Sequence, residues 1–232
     1  MESSTQLIFD LPHMPALGSE DFFVSASNEK AVRLVEAWPD WPNAVAVIAG
    51  PQGSGKTHLV NVWRACSGAE AFAATDVARA FDRALADGGP VVLEDIDATA
   101  INEHAAFHLL NLARERGFEV LITARRLPGE WHVSLPDLRS RLRSAALVTI
   151  DAPDEALLGA VLIKLFADRQ LAIEPGVIGY VMRRMVRSMA AAQRLVDALD
   201  RAALAEHRRV TKALAAKLLH AEVTDDGADG RG

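Results

Sequence analysis

Residues 44–50, AVAVIAG, run directly into residues 50–57, GPQGSGKT, and this junction narrows the folds open to the chain more than any other stretch. A short apolar run ending in glycine reads as a strand buried on both faces of a parallel sheet. The segment after it has the spacing G-x-x-x-x-G-K-[ST], with Gly50, Gly55, Lys56 and Thr57 in the fixed places and a helix expected from Lys56. Glycines at such a turn let backbone N–H groups curl around phosphate oxygens, and the helix N-terminus adds partial positive charge. The loop, with Gly53 and Ser54 inside it, is therefore expected to bind a nucleotide, Lys56 reaching the β and γ phosphates and Thr57 a Mg²⁺ ion.

Alternation continues on either side of that junction. The stretch SNEKAVRLVEAW predicts a capped helix beginning near Ser27 or Asn28, stopped by WPDWPN. Beyond the loop, DVARAFDRALADG reads as helix, PVVLEDI as strand, EHAAFHLLNLARERG as helix and EVLITAR and ALVTID as strands. This is the pattern of an α/β domain built on a doubly wound parallel sheet. From Pro153 onward the strand signals stop, and four amphipathic or buried helices follow, so a smaller all-α lid domain is expected after a boundary near residue 151. The chain divides accordingly into residues 1–19 (peptide and linker), 20–151 (nucleotide-binding core), 152–223 (helical lid) and 224–232 (a polar, glycine-rich tail expected to be solvated).

Charge and composition remove other classes. A net charge of −6 over 232 residues argues against a broad basic surface for wrapping nucleic acid. No apolar run reaches the roughly 18 residues that a membrane-spanning helix needs, and the start lacks a basic signal-peptide region, so a cytoplasmic protein is expected. The lone cysteine, Cys66, excludes an internal disulfide and is expected to be a packing residue; the seven histidines lack metal-ligand spacing.

The acids that a Mg²⁺ ion needs at a neighbouring strand end are supplied by Glu94 and Asp95 in VVLEDID. Successive strand residues point to opposite faces, so the two are expected to differ in role, one serving the metal and the other orienting the attacking water.

With these residues in place the chain resembles the AAA+ ATPases and, within them, the DnaA clade, over about residues 20 to 222. FFVSASNEKA is similar to the clade's adenine-side entry segment, GPQGSGKTHL to its Walker A including His58, and VVLEDID to its Walker B. FHLLNLARERGFEVLITARRLP resembles the sensor 1 region, with Thr123 as the polar sensor, and LPDLRSRL the segment bearing the arginine finger, which the resemblance assigns to Arg141. Two features depart from the pattern. The first Walker B acid is Glu94 where two aspartates are usual, which implies slow intrinsic hydrolysis. The position of the sensor 2 arginine falls near Ala190 or Gln193, with Arg187 a turn earlier, the residue favoured for the nucleotide, and Arg194 just after.

The resemblance also shapes the expected partners. No counterpart of the clade's DNA-binding or helicase-loading domains is read in the chain, so the ATPase unit alone is expected, as in the Hda group of replication regulators. That group carries a peptide for the β sliding clamp ahead of its core, and QLIFDL fits the pattern through Gln6, Leu7, Phe9 and Leu11. The resemblance thus implies an ATP- or ADP-binding, Mg²⁺-dependent regulator. It would dock on the clamp, meet DNA only through it, and stimulate ATP hydrolysis by the initiator DnaA, with a homo-oligomer compatible and no membrane partner. A DnaC-like helicase loader and a nucleotide-gated targeting protein without catalytic stimulation are the alternative readings.

Overall fold

The computed structural model describes residues 23–206 and 209–225; the clamp-type peptide Gln6, Leu7, Phe9 and Leu11 lies outside them. The described residues fall into two compact units, one of residues 26–152 and the other of residues 23–25, 153–206 and 209–225.

In the first unit the elements run α1 (Glu29–Glu36), β1 (Val45–Ala49), α2 (Lys56–Ser67), β2 (Glu70–Ala73), α3 (Val77–Asp87), β3 (Val91–Glu94), α4 (Glu103–Arg116), β4 (Val120–Ala124), α5 (Pro136–Arg143) and β5 (Ala146–Thr149). The strands form one parallel sheet in the order β2-β3-β4-β1-β5. β1 and β4 are buried along their whole length, as the continuous apolar runs require of strands covered on both faces. Alternate residues Val45 and Val47, Val91 and Leu93, and Val120 and Ile122 enter one core with Ala80 and Ala84 of α3 and Leu109 and Leu110 of α4. Chain order jumps from β1 across the sheet to β2 and returns through β3 and β4, so the C-terminal ends of β1, β3 and β4 lie side by side. Ligand crevices of open α/β sheets form at such an edge.

One strand escaped the sequence reading. β2 is a four-residue edge strand in which only Phe72 is buried, too short and too exposed to show a period. α1 begins at Glu29, close to the expected start, but Asn28 at its N-cap makes no side-chain cap bond; two caps the sequence reading did not name do, with Asn102 accepting the Ala105 N–H at the start of α4 and, in the second unit, Asp154 accepting the Leu157 N–H at the start of α6 (Glu155–Asp168), each stabilising its helix by about 1 kcal/mol. At the far end of α2, Trp63 is fully buried, with its ring centroid 6.3 Å from that of Trp38 and 5.2 Å from that of Trp41. Trp41 donates its indole N–H to Leu34 O on α1, which ties the three indoles to two helices. Cys66, expected to pack, is instead exposed, because it sits on the outer side of the last turn of α2 while Val62 and Trp63 face inward.

The second unit is helical: α6, α7 (Val177–Met182), α8 (Met189–Glu206) and α9 (Lys212–Asp225). Leu158, Leu162 and Phe166 of α6 pack with Val181, Leu195, Leu199, Leu214 and Ala215 in a core of their own. α9 continues to Asp225, two residues into the segment expected to be tail.

Candidate functional site

The phosphate loop lies where the sequence puts it, between the C-terminal end of β1 and the first turn of α2. Its shape depends on glycine at two places: Gly53 has φ +76° and Gly55 +102°, left-handed values that side chains with a Cβ rarely adopt. Gly50 is needed for space, since a Cβ there would stand 2.3 Å from the carbonyl oxygen of Ile150.

Three side chains show how well this loop fits a polyphosphate. Lys56, 6% exposed, donates from Nζ to the carbonyl oxygens of Gly50 (2.8 Å) and Pro51 (3.0 Å), which hold its ammonium over the loop. Burial lowers the Lys56 pKa from its ordinary value, Asp95 and Asp97 oppose that shift, and Arg125 adds to it. Ser54, 2% exposed, has a buried Oγ with no hydrogen-bond partner among the described residues, and a hydroxyl left unpaired in this way costs stability until something accepts from or donates to it. Thr57 is exposed on the first turn of α2, as is His58. An orphaned hydroxyl, a caged cation and glycine-built amides form a donor set suited to an anion. Thr57 with Glu94 or Asp95 could hold Mg²⁺ together with phosphate oxygens, hydroxyl and carboxylate being the hard oxygen ligands that this ion takes; no cluster of three or more His, Cys, Asp or Glu able to hold a metal occurs among the described residues.

The strand ends beside the loop are tied together by hydrogen bonds across about 28 residues. β3 stops at Glu94, and Asp95 turns out of the strand with φ +47°, so strand alternation no longer sets the relation between the two acids. That turn is held from β4: Thr123 Oγ1 accepts the Asp95 N–H at 2.9 Å and Thr123 O accepts the Ile96 N–H at 2.9 Å. Thr123 is 2% exposed, so its hydroxyl is engaged with the Asp95 turn inside the protein. Asp97, passed over in the sequence, has a side chain only 3% exposed and accepts the N–H groups of Arg125 (2.8 Å) and Arg126 (3.0 Å). Its only signal in the sequence was a second aspartate two residues after Asp95, in a turn where strand periodicity gives no guide to its role.

Arg141 lies on α5, a helix anchored by the buried Leu138 and Leu142. Its guanidinium makes no hydrogen bond or ion pair among the described residues, whereas that of Arg139 donates to Val133 O. The approach to α5 is fixed by Glu103, also unread in the sequence, which accepts the N–H groups of Ser134 (2.8 Å) and Leu135 (2.6 Å). These two bonds hold the Glu103 pKa below its ordinary value near 4.5. A carboxylate with a lowered folded pKa stabilises fully above its unfolded range and loses that contribution as pH falls through the folded value. Glu103→Gln is therefore expected to cost about 1 kcal/mol at neutral pH, solvent screening limiting the loss, and to flatten the fall in stability below about pH 4.5 in urea titrations. A variant with the wild-type pH slope would remove the carboxylate from this role. Arg187, the favoured lid residue, is exposed in the second unit, between α7 and α8.

Residues 158–219 match a family model described as the lid domain of Hda. Among solved structures the chain is similar to domain III of the Thermotoga maritima replication initiation protein DnaA, with a TM-score of 0.72 and 16% identity over 90% of this chain and 97% of that one. It is also similar to AMPPCP-bound DnaA from Aquifex aeolicus, with a TM-score of 0.62 and 19% identity over 77% of this chain and 63% of that one. For the Thermotoga maritima RuvB Holliday junction branch migration motor the TM-score is 0.60 and the identity 17%, over 77% and 61%. The chain spans less than two thirds of the Aquifex DnaA and RuvB chains. No curated protein sequence matches it. The fold is that of a DnaA-like AAA+ core with a helical lid, and no helix among the described residues is long and apolar enough to cross a membrane.

Proposed function

Starting from a DnaA-like AAA+ fold with an Hda-type lid, we propose that the protein is an adenine-nucleotide-binding regulator of replication initiation that docks on the β sliding clamp and stimulates ATP hydrolysis by the initiator DnaA. The observation that carries this reading is the lid match over residues 158–219 beside a phosphate loop whose Ser54 hydroxyl has no partner.

Each residue has a part in it. Lys56 and the amides after Gly53 and Gly55 bind the polyphosphate of the chain's own nucleotide, with Thr57 and one of Glu94 and Asp95 holding its Mg²⁺. Bound nucleotide supplies the charge that this cage neutralises, and it sets the conformation the protein offers its partner. The extra methylene of Glu94 makes the chain's own hydrolysis weak, so the chemistry is done on the partner. Arg141, on a helix whose approach Glu103 holds and with a guanidinium that has no hydrogen bond or ion pair among the described residues, enters the initiator's site and neutralises charge on the γ-phosphoryl oxygens as it builds in the transition state. Arg187 contributes a lid cation to the chain's own nucleotide. Gln6, Leu7, Phe9 and Leu11 dock as an extended peptide, the amide at a pocket rim and the apolar groups inside it.

Initiator ATP turnover measured with clamp-loaded DNA and the full chain tests this. Turnover is expected to rise well above that of the initiator alone, and to return near the baseline when Gln6→Ala and Leu7→Ala are introduced together, while the variant still binds nucleotide. Absence of stimulation with all components present would reject the regulator, and a chain that never binds the clamp would favour the helicase-loader reading.

A further inference from the structure

We infer that Arg183 and Arg184, at the turn from α7 into α8, form a contact surface for the phosphodiester backbone of duplex DNA, with Arg187 adding charge beside them. The inference goes beyond the proposed regulator, which meets DNA only through the clamp, and rests on that reading only for its choice of duplex DNA.

Charge along the chain points to this turn. Residues 175–196 hold four arginines, Arg183, Arg184, Arg187 and Arg194, and no Asp or Glu, in a protein whose net charge is −6. All four arginines are exposed. The acids that bound the stretch are engaged elsewhere: Asp197 is paired with Arg169, and the Glu174 carboxylate accepts the Lys212 N–H at 3.3 Å. Among the described residues no carboxylate pairs with Arg183, Arg184 or Arg187. Like charges crowded without a counter-charge repel one another, and a polyanion relieves them.

The turn itself is held from inside. Met185 is buried in the helical core, and Ser188 Oγ accepts the Ala191 N–H at 3.0 Å where α8 begins. Arg184 stacks on Tyr180, its Cζ 4.0 Å from the ring centroid. Its hydrogen bond from Nη1 to Tyr180 O is long, at 3.5 Å, so most of its donor edge stays available. Arg183 runs back along α7 past Gly179, where an added Cβ would stand 3.5 Å from its Nη1. Val186, 67% exposed, separates these two from Arg187. Guanidinium forks suit phosphate oxygens, and the tyrosine and valine between them suit the sugars that alternate with phosphates along a strand. Two or three such contacts imply a slope of log K against log salt of about −1.8 to −2.7, and an affinity near the weak, non-specific end, on the order of 10⁻⁴ M. The surface therefore acts on a chain already held beside DNA, where the effective concentration is high.

Fluorescence anisotropy of the full chain with a labelled DNA duplex, without clamp or initiator, tests this between about 50 and 200 mM NaCl. The wild-type chain is expected to bind with the slope just given. Arg183→Ala with Arg184→Ala should weaken binding at the low-salt end by about 10-fold or more and reduce the slope by about 2. Arg183→Lys with Arg184→Lys keeps the charge and should keep the slope. Arg79→Ala with Arg114→Ala removes the same charge from exposed sites on α3 and α4 and should leave the slope near wild type. Equal losses in the two alanine pairs, loss of slope in the lysine pair, or no duplex binding even at low salt overturns the assignment. Tighter binding to polyglutamate than to the duplex, lost in the Arg183 and Arg184 alanine pair, also overturns it and gives the surface to an acidic protein. Initiator turnover plays no part in the readout, so the regulator can fail with this surface intact, and the surface can fail with the regulator still meeting DNA through the clamp.

Discussion

Arg141→Ala is expected to abolish stimulation of initiator ATP turnover, by up to about 10³-fold if Arg141 acts as an arginine finger. The chain itself should be unaffected, because the guanidinium has no partner to lose and α5 is held by Leu138, Leu142 and the Glu103 bonds at its approach. The half-saturating concentration of the protein should also hold, since docking is assigned to the peptide at Gln6 to Leu11. Arg143→Ala provides the contrast: Arg143 is on the same helix and exposed, and its loss should leave stimulation near wild type. If both variants stimulate normally, α5 does not carry the finger. If both fail, the helix acts through its charge as a whole.

Gly50→Ala is expected to destabilise the core unit by about 3 kcal/mol, near the upper range for overpacking. The added Cβ would meet Ile150 O at 2.3 Å and Ile150 Cγ2 at 2.6 Å, with Ser54 Oγ at 3.2 Å. Neither side can give way easily. Gly50 is bonded to Ala124 O and Ile150 N–H to Ala49 O at 2.8 Å, so a shift of either chain strains β1 between its neighbours β4 and β5. Urea unfolding should show a clearly lower midpoint, accompanied by loss of nucleotide binding. Gly129→Ala, where nothing lies within 4 Å of the new Cβ, should be close to neutral. A Gly50→Ala protein as stable as Gly129→Ala would show that the loop is looser than its packing suggests.

Much of this architecture was legible because its signals are local and dense. The run at residues 44–57 holds a buried strand, three glycines that the loop requires and a lysine in fourteen positions. The expected strands at β1, β3, β4 and β5 were strongly apolar, whereas β2 has one buried side chain in four and no period to read. The second layer of the site was hidden for another reason. Asp97, Arg125 and Glu103 look like ordinary surface charges in the sequence. They acquire meaning only when the fold brings a carboxylate to amides 28 or more residues away. Thr123 was legible only through the resemblance of its segment to the sensor 1 region, and its attachment to the Asp95 turn depends on the pairing of β3 with β4.

The indole group at the end of α2 gives the molecule a built-in optical gauge. Trp63 lies seven residues along the helix from Lys56, roughly 10 Å at 1.5 Å per residue. Its ring plane stands at 84° to that of Trp38 and 34° to that of Trp41, close enough for the transition dipoles of the three indoles to couple. Near-ultraviolet dichroism from this trio reports how the helix is seated without any attached dye, and Trp131 is the only other indole in the chain that must be subtracted.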